Sequence, residues 1–192
     1  MTNQNKSMKK IAIAPLLILL LPITINAQKS EATLIFKDGS VLKGLGRLTN
    51  ANTIRFRQTK KDKKQIYTFK EVDTLKVHYD YVTTTYIEAA IENREEPKVL
   101  EVIMVSNSIA YYHRYNYFTA MGGTSTHYYL KRKSDNQVIH FGSNQLGTLN
   151  FKKVATTFFS DCEELVKAIE EEKYGRYQLK EIIEVYEEKC GR

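Results

Sequence analysis

From Ile11 to Leu21 the chain is almost unbroken apolar, and no later stretch repeats such a run. Beyond residue 30 the apolar positions come in short bursts separated by Gly, Asn, Asp, Ser and Lys. Their spacing is near two as far as Asn150 and near 3.6 after it, which predicts strands first and helices last. Asp38-Gly39, between Leu34-Ile35-Phe36 and Val41-Leu42, carries the clearest hairpin signal. It reads as a two-residue type I′ turn with Phe36 opposite Val41 and Ile35 opposite Leu42. Both faces then carry apolar side chains, which implies a curled sheet or small barrel. Gly44 and Gly46 supply the bend in the second strand. Further strands are expected at 53–57, 66–69 and 74–79, with the charged tip Lys60-Lys61-Asp62-Lys63-Lys64 turned to solvent.

A second group of strands is expected at 81–91, 99–105, 109–119, 126–133 and 138–141, joined by short polar turns into an antiparallel meander. Alternation along 109–119 puts Tyr111, His113, Tyr115 and Tyr117 on one face. Tyr112, Arg114 and Asn116 fall on the other. After Asn150, Phe151, Val154, Ala155 and Phe158 follow the i, i+3, i+4, i+7 pattern of a short amphipathic helix. Ser160 with Glu163 reads as a capping box opening a second helix, whose apolar stripe is Cys162, Leu165, Val166 and Ile169. Gly175 reads as its stop. The last helix is expected over 178–190, with Leu179, Ile182, Ile183, Tyr186 and Cys190 on one stripe.

A short connection makes these two helices antiparallel, so the start of one meets the end of the other. Cys162 and Cys190 therefore become neighbours on apolar faces, and a structural disulfide is expected. Two sulfurs without a spaced His pair leave a zinc shell incomplete, so no metal is assigned.

The opening of the chain sets the compartment. Residues 1–27 have a basic start ending in Met8-Lys9-Lys10, an apolar stretch, Pro22 and a small residue before the expected cut between Ala27 and Gln28. The apolar stretch falls short of the roughly 20 residues that span a bilayer. It reads as a signal peptide, leaving no transmembrane anchor in the mature chain. Export to the periplasm or the outside is expected. Of the +7 formal net charge, Lys6, Lys9 and Lys10 lie in this leader, so the remainder is only mildly basic. With 42% apolar and 27% charged residues the composition is that of a globular protein, and Gly and Pro are too scarce for collagen or a low-complexity chain.

The small β unit, with its Phe36-Lys37-Asp38-Gly39 turn and bending glycines, resembles SH3-like or Sm-like small barrels at the level of fold. The RNA-binding motifs of the Sm family have no counterpart in it. The whole chain resembles small exported proteins of unknown function from Bacteroidota. The pieces that carry this are Asn26-Ala27-Gln28, Phe36-Lys37-Asp38-Gly39, Tyr128-Tyr129-Leu130 and Phe159-Ser160-Asp161-Cys162. That likeness implies compartment and architecture and brings no activity. The expected fold class is α+β, mostly antiparallel β. It comprises a small SH3-like barrel (28–79), a β-meander packed with it (80–149) and a C-terminal helical hairpin (150–192).

No nucleophile elbow, His-Glu-x-x-His, phosphate loop or dinucleotide fingerprint occurs. No catalytic residue or cofactor is assigned. The candidate binding surface is Arg114, Tyr115, Tyr117, His127 and Tyr129, flanking Gly122-Gly123. Tyrosine offers an apolar face with a polar tip and Arg or His adds directional donors, which suits sugars and acidic polymers. The expected function is a non-enzymatic, envelope-associated binding or structural module whose partner is a glycan or an envelope protein. No nucleic-acid partner is expected. Two alternatives remain: a hydrolase using a histidine between residues 113 and 140, or a polyanion or nucleic-acid binder through Lys60–Lys64 in a chain that is not exported.

Overall fold

The computed structural model describes residues 30–118, 123–145 and 150–191, with the side chains of Tyr117 and Phe118 excepted. The expected leader and its Ala27–Gln28 cut lie outside the described residues. The fold is mostly antiparallel β, followed by three α-helices of which the last is C-terminal. The first five strands are β1 (Glu31–Phe36), β2 (Val41–Leu48), β3 (Ile54–Arg57), β4 (Gln65–Tyr67) and β5 (Val72–Tyr79). The next five are β6 (Val82–Ala89), β7 (Lys98–Val105), β8 (Ile109–Phe118), β9 (Gly123–Arg132) and β10 (Ile139–Ser143). All ten form one open sheet in the order β10-β9-β8-β7-β6-β5-β1-β2-β3-β4.

The sheet bends in two senses. In its first half Leu34, Ile54, Phe56, Phe69, Val72 and Leu75 share one core, so β2–β4 fold over β1 and β5. Gly44 and Gly46 permit this: a Cβ on Gly44 would lie 2.7 Å from the Phe56 ring, and one on Gly46 3.0 Å from it. In the second half the opposite face turns inward. Ile91, just past β6, forms a parallel bridge with Val138, just before β10. Glu92 N–H donates to the Val138 carbonyl and Val138 N–H to the Ala90 carbonyl, both at 2.9 Å. Ile91, Leu100, Ala110, Tyr112, Tyr129 and Val138 fill the space enclosed.

The first hairpin differs by one residue from the sequence reading. Ile35 pairs with Val41 and Leu34 with Leu42. Phe36 N–H donates to the Ser40 carbonyl and Gly39 N–H to the Phe36 carbonyl, each at 2.9 Å. Of the two turn residues only Gly39 has a positive φ, +83°. The loop is therefore three residues, a turn closed by a glycine bulge, and Asp38 caps it by accepting from the Ser40 amide and hydroxyl.

The helices cover the outer face of the second half. α1 (Phe151–Phe158) starts at Asn150, whose side chain accepts from Lys153 N–H, and buries Phe151, Ala155 and Phe158. α2 (Glu163–Glu170) is capped by Cys162 without a side-chain bond, so the expected Ser160–Glu163 capping box does not form. Asp161 and Cys162 are held elsewhere, by Arg132 and by the disulfide. α2 also stops before Gly175. Glu172 takes the left-handed conformation at φ 60°. Lys173 N–H then donates back to Ala168 and Glu172 N–H to Ile169. Gly175 instead opens a short 3-10 turn leading into α3 (Leu179–Lys189).

Phe141 and Leu130 of the sheet meet Phe158, Phe159, Leu165, Ile182 and Tyr186 of the helices in the largest core. Arg132 fastens the two layers. Its guanidinium donates to Asp161 at 2.6 Å, to the Phe158 carbonyl at 2.5 Å and to the Tyr186 hydroxyl at 2.6 Å. Its charge also lies over the Phe158 and Tyr186 rings. Burial pushes Asp161 upward, but the Tyr186 and Arg132 hydrogen bonds prevail and hold it below its ordinary value. Glu187 of α3 accepts from Ser106 and from Ser108 N–H, which ties the helix to the β7–β8 turn. The expected disulfide is present: Cys162 at the start of α2 is bonded to Cys190 at the end of α3, with their Cα atoms 5.8 Å apart.

Candidate functional site

The β8–β9 register divides the expected binding set between the two faces of the sheet. Arg114 is paired with His127 and Tyr112 with Tyr129, so Arg114, His127 and Tyr129 share the inner face of the second half. Tyr115 is paired with Thr126 on the opposite face. Tyr117 is paired with Thr124 through its backbone, and its side chain lies outside the described residues. Gly122 also lies outside, and Gly123 begins β9.

On the outer face, the β2–β3 turn overhangs a cleft of about 470 Å³ whose lining includes Asn50, Asn52, Tyr86, Glu101, His113 and Tyr115. Glu101 and His113 are cross-strand partners on β7 and β8. The His113 ring is fixed at both nitrogens, with Tyr111 Oη 2.7 Å from Nε2 and Tyr115 Oη 3.2 Å from Nδ1. Burial, and then the nearby Lys180 charge, lower the His113 pKa to about 4, so the ring is neutral at neutral pH. Glu101 is half-buried, which raises its pKa, and it makes no hydrogen bond or ion pair among the described residues. A carboxylate withdrawn from water, beside an imidazole already held at both nitrogens, presents acceptors that the described residues do not use.

The inner face holds a different arrangement. Asn116 Nδ2 lies 2.9 Å from His127 Nε2, and His127 Nδ1 lies 3.1 Å from His140 Nε2. The amide can only donate, so Nε2 of His127 accepts and its Nδ1–H points to His140, a tautomer assigned from the network. The two imidazoles stack with centroids 5.2 Å apart. Burial lowers both pKa values, that of His140 to about 4. Arg94 and Arg114 add to the lowering at His127, whereas His127 and Arg94 do so at His140.

Ser125 Oγ is 3.2 Å from His127 Nε2, so Ser125, His127 and His140 have the spacing of a nucleophile, base and orienter. Ser125 is nonetheless 0% exposed, and it shares the imidazole nitrogen with Asn116. A hydroxyl so enclosed has no free approach for a substrate carbonyl. The chain of hydrogen bonds therefore orders the end of the β8–β9 hairpin.

A larger cleft of about 1180 Å³ runs beside β10 and is lined by Arg94, Asp135, Ile139, His140, Lys153 and Phe158 among others. It is bounded by mixed charges without a converging set. Lys60 to Lys64 are all exposed in the β3–β4 turn. Among the described residues no group of three or more His, Cys, Asp or Glu side chains is placed to hold a metal. No helix of the described residues is long and apolar enough to cross a membrane. Compared with known protein families, with curated proteins and with solved structures, the chain matches none.

Sequence reasoning missed Glu101, because one carboxylate in an apolar strand carries no motif. It also missed Ser125, Asn116 and His140 as neighbours of His127. Their signal was present: pairing Arg114 with His127 fixes every other pair along the hairpin.

Proposed function

We propose that this protein is an exported, non-enzymatic envelope module that binds a glycan in the cleft over Glu101, His113 and Tyr115. The observation that carries this reading is the half-buried Glu101 carboxylate, which has no partner among the described residues. Sugar hydroxyls are donors and acceptors at once. Glu101 offers two accepting oxygens, Asn50 and Asn52 offer amides of both kinds, and Tyr115, 39% exposed, offers an apolar flank with a hydroxyl. At about 470 Å³ the cleft lies within the size range of small-molecule sites. Export is supported by the leader and by the Cys162–Cys190 disulfide, since such bonds persist in oxidising compartments. The curling of β1–β5 around one core supports the small-barrel likeness, which carries no function with it.

The test is titration of the mature protein with a panel of neutral oligosaccharides released from the producing cell's envelope. Glu101→Gln keeps the shape and removes the charge, and Tyr115→Ala removes the flank. At least one oligosaccharide should bind, with a tenfold or greater loss in each variant and an unchanged unfolding midpoint. Binding that both variants leave intact would remove this cleft from consideration. The compartment is tested separately, by the non-reduced mass of the protein from native cells. A mass matching residues 28–192 less two hydrogens is expected, and a full-length mass with two free thiols would overturn export.

A further inference from the structure

The outer face of the first half of the sheet carries mostly positive charge. Alternation puts Lys43 and Arg47 of β2, Arg55 and Arg57 of β3 and Lys76 of β5 on that face, opposite the core formed by Leu34, Ile54, Phe56 and Leu75. Arg47 and Arg55 are direct cross-strand partners. Thr33 is paired with Lys43 on one side and Lys76 on the other. None of these five cations is in an ion pair among the described residues, and Glu31 and Asp73 are the carboxylates on β1, β2, β3 or β5 that share their face. Like charges directly opposite each other in an antiparallel pair are destabilising. A shallow groove of about 730 Å³ crosses the same face, lined by Thr33, Lys43, Gln58, Lys76, His78 and Glu31 among others. Nearby, Arg57 Nε is buried without a partner although Arg57 Nη1 donates to the Lys60 carbonyl.

We propose that this face binds a linear anionic polysaccharide laid across β5, β1, β2 and β3. Neighbouring strands are about 4.8 Å apart, so cations on successive strands meet charges repeated along an extended chain. The groove offers the Gln58 amide to sugar hydroxyls, while Thr33 and Thr83 hold the His78 ring at its two nitrogens along its wall. The apolar side chains on the face are aliphatic, Ile35, Val41, Leu45 and Ile66. Single-stranded nucleic acid is held chiefly by aromatic side chains under its bases, and this face carries no Phe, Tyr or Trp among the described residues. The surface is separate from the Glu101 cleft and does not depend on it.

The test is binding of polygalacturonate oligomers to the mature protein over a series of salt concentrations, with single-stranded DNA of matched charge as the comparison. The polyuronate should bind more tightly than the DNA, and its affinity should fall steeply as salt rises. The Arg47→Gln/Arg55→Gln double variant should lose tenfold or more in affinity, with a shallower salt dependence. It should unfold at the same or a higher temperature, because it relieves a like-charge pair. A Lys61→Gln/Lys63→Gln variant should retain the affinity. Absent binding, unchanged affinity in the arginine variant, preference for DNA, or an equal loss in the lysine variant would each overturn the proposal.

Discussion

The two halves of the sheet use the same kind of strand and differ in how many faces they bury. From β1 to β5 one face is enclosed and the other is open: Leu34, Phe56 and Leu75 point inward, while Lys43, Arg47 and Arg55 point out. From β7 to β10 most of both faces is covered, apart from the cleft over Glu101 and Tyr115. Tyr112, Tyr129 and Leu100 lie inside the curl, and Tyr111, Tyr128 and Leu130 lie beneath the helices. Apolar residues at both parities of β8 and β9 are thus the sequence's demand for a second layer, and the amphipathic helices meet it. The first half sets Ile35, Val41, Leu45 and Ile66 among cations on its outer face, and no helix covers that mixed surface.

The comparison is tested most severely by cutting out one core at a time. Phe56 and Phe159 are each almost fully buried, one in each half. Changing either to Ala should cost about 3–5 kcal/mol, measured by denaturant unfolding. Because the sheet is continuous through the β1–β5 and β5–β6 pairings, both variants should still unfold in one transition. Two separated transitions in either variant would divide the halves into independent bodies.

Opening the disulfide should come next in size. Cys162 and Cys190 are 28 residues apart, and closing a loop of that length stabilises by about 3–4 kcal/mol in the chain-entropy picture. A Cys162→Ser/Cys190→Ser variant should lose that much. Hydrogen exchange in α2 and α3 should quicken more than in β1, since the bond ties helix to helix. Equal quickening throughout would show that the helical layer and the first half share one opening.

Acid should separate the halves by a smaller margin. His113 and His140 are held near pKa 4 and His127 is lowered as well, all three in the second half. Their unfolded values are near 6.5, so between about pH 6.5 and 4 the unfolded chain binds more protons than the folded one. Stability should therefore fall as pH drops through that window. Glu101, raised by burial, opposes the trend, whereas Asp161 and Glu187, held low by hydrogen bonds despite burial, extend it further into acid. Unfolding midpoints at several pH values check this. His140→Phe should flatten the slope, and an unchanged slope would show that His140 takes up its proton in both states.

How legible these features were depended on whether one interaction or several decided them. The disulfide was legible, because a helical stripe places Cys162 and Cys190 without reference to the sheet. The ten strands were legible in number and order along the chain, because alternation and turn residues agree. The first hairpin slipped by a residue because Asp38-Gly39 suits both a two-residue turn and a three-residue loop. The three-residue form is the one that places only Gly39 at positive φ and lets Asp38 accept from Ser40. The binding set was split because proximity in sequence was weighed above the pleat, which sends Arg114 and Tyr115 to opposite faces. Glu101 was illegible in isolation, since its meaning comes from burial and from His113 across the strand.

Helix starts provide the last and smallest contrast. Asn150 and Ser160 each precede an amphipathic stripe, and the sequence reading assigns a cap to Ser160 alone. Asn150 does cap α1, accepting from Lys153 N–H at 3.3 Å. Ser160 does not cap α2, which begins two residues later at Cys162, where the disulfide and the Arg132–Asp161 contact hold the chain. Asn150→Ala should therefore cost about 1 kcal/mol, the usual worth of a cap. Ser160→Ala should stay within about 0.5 kcal/mol of the parent, as an exposed substitution away from such features does. Urea unfolding of the two variants beside the parent measures both. If Ser160→Ala costs as much as Asn150→Ala, the capping box forms in solution. The start of α2 is then set locally, not by its attachment to the sheet.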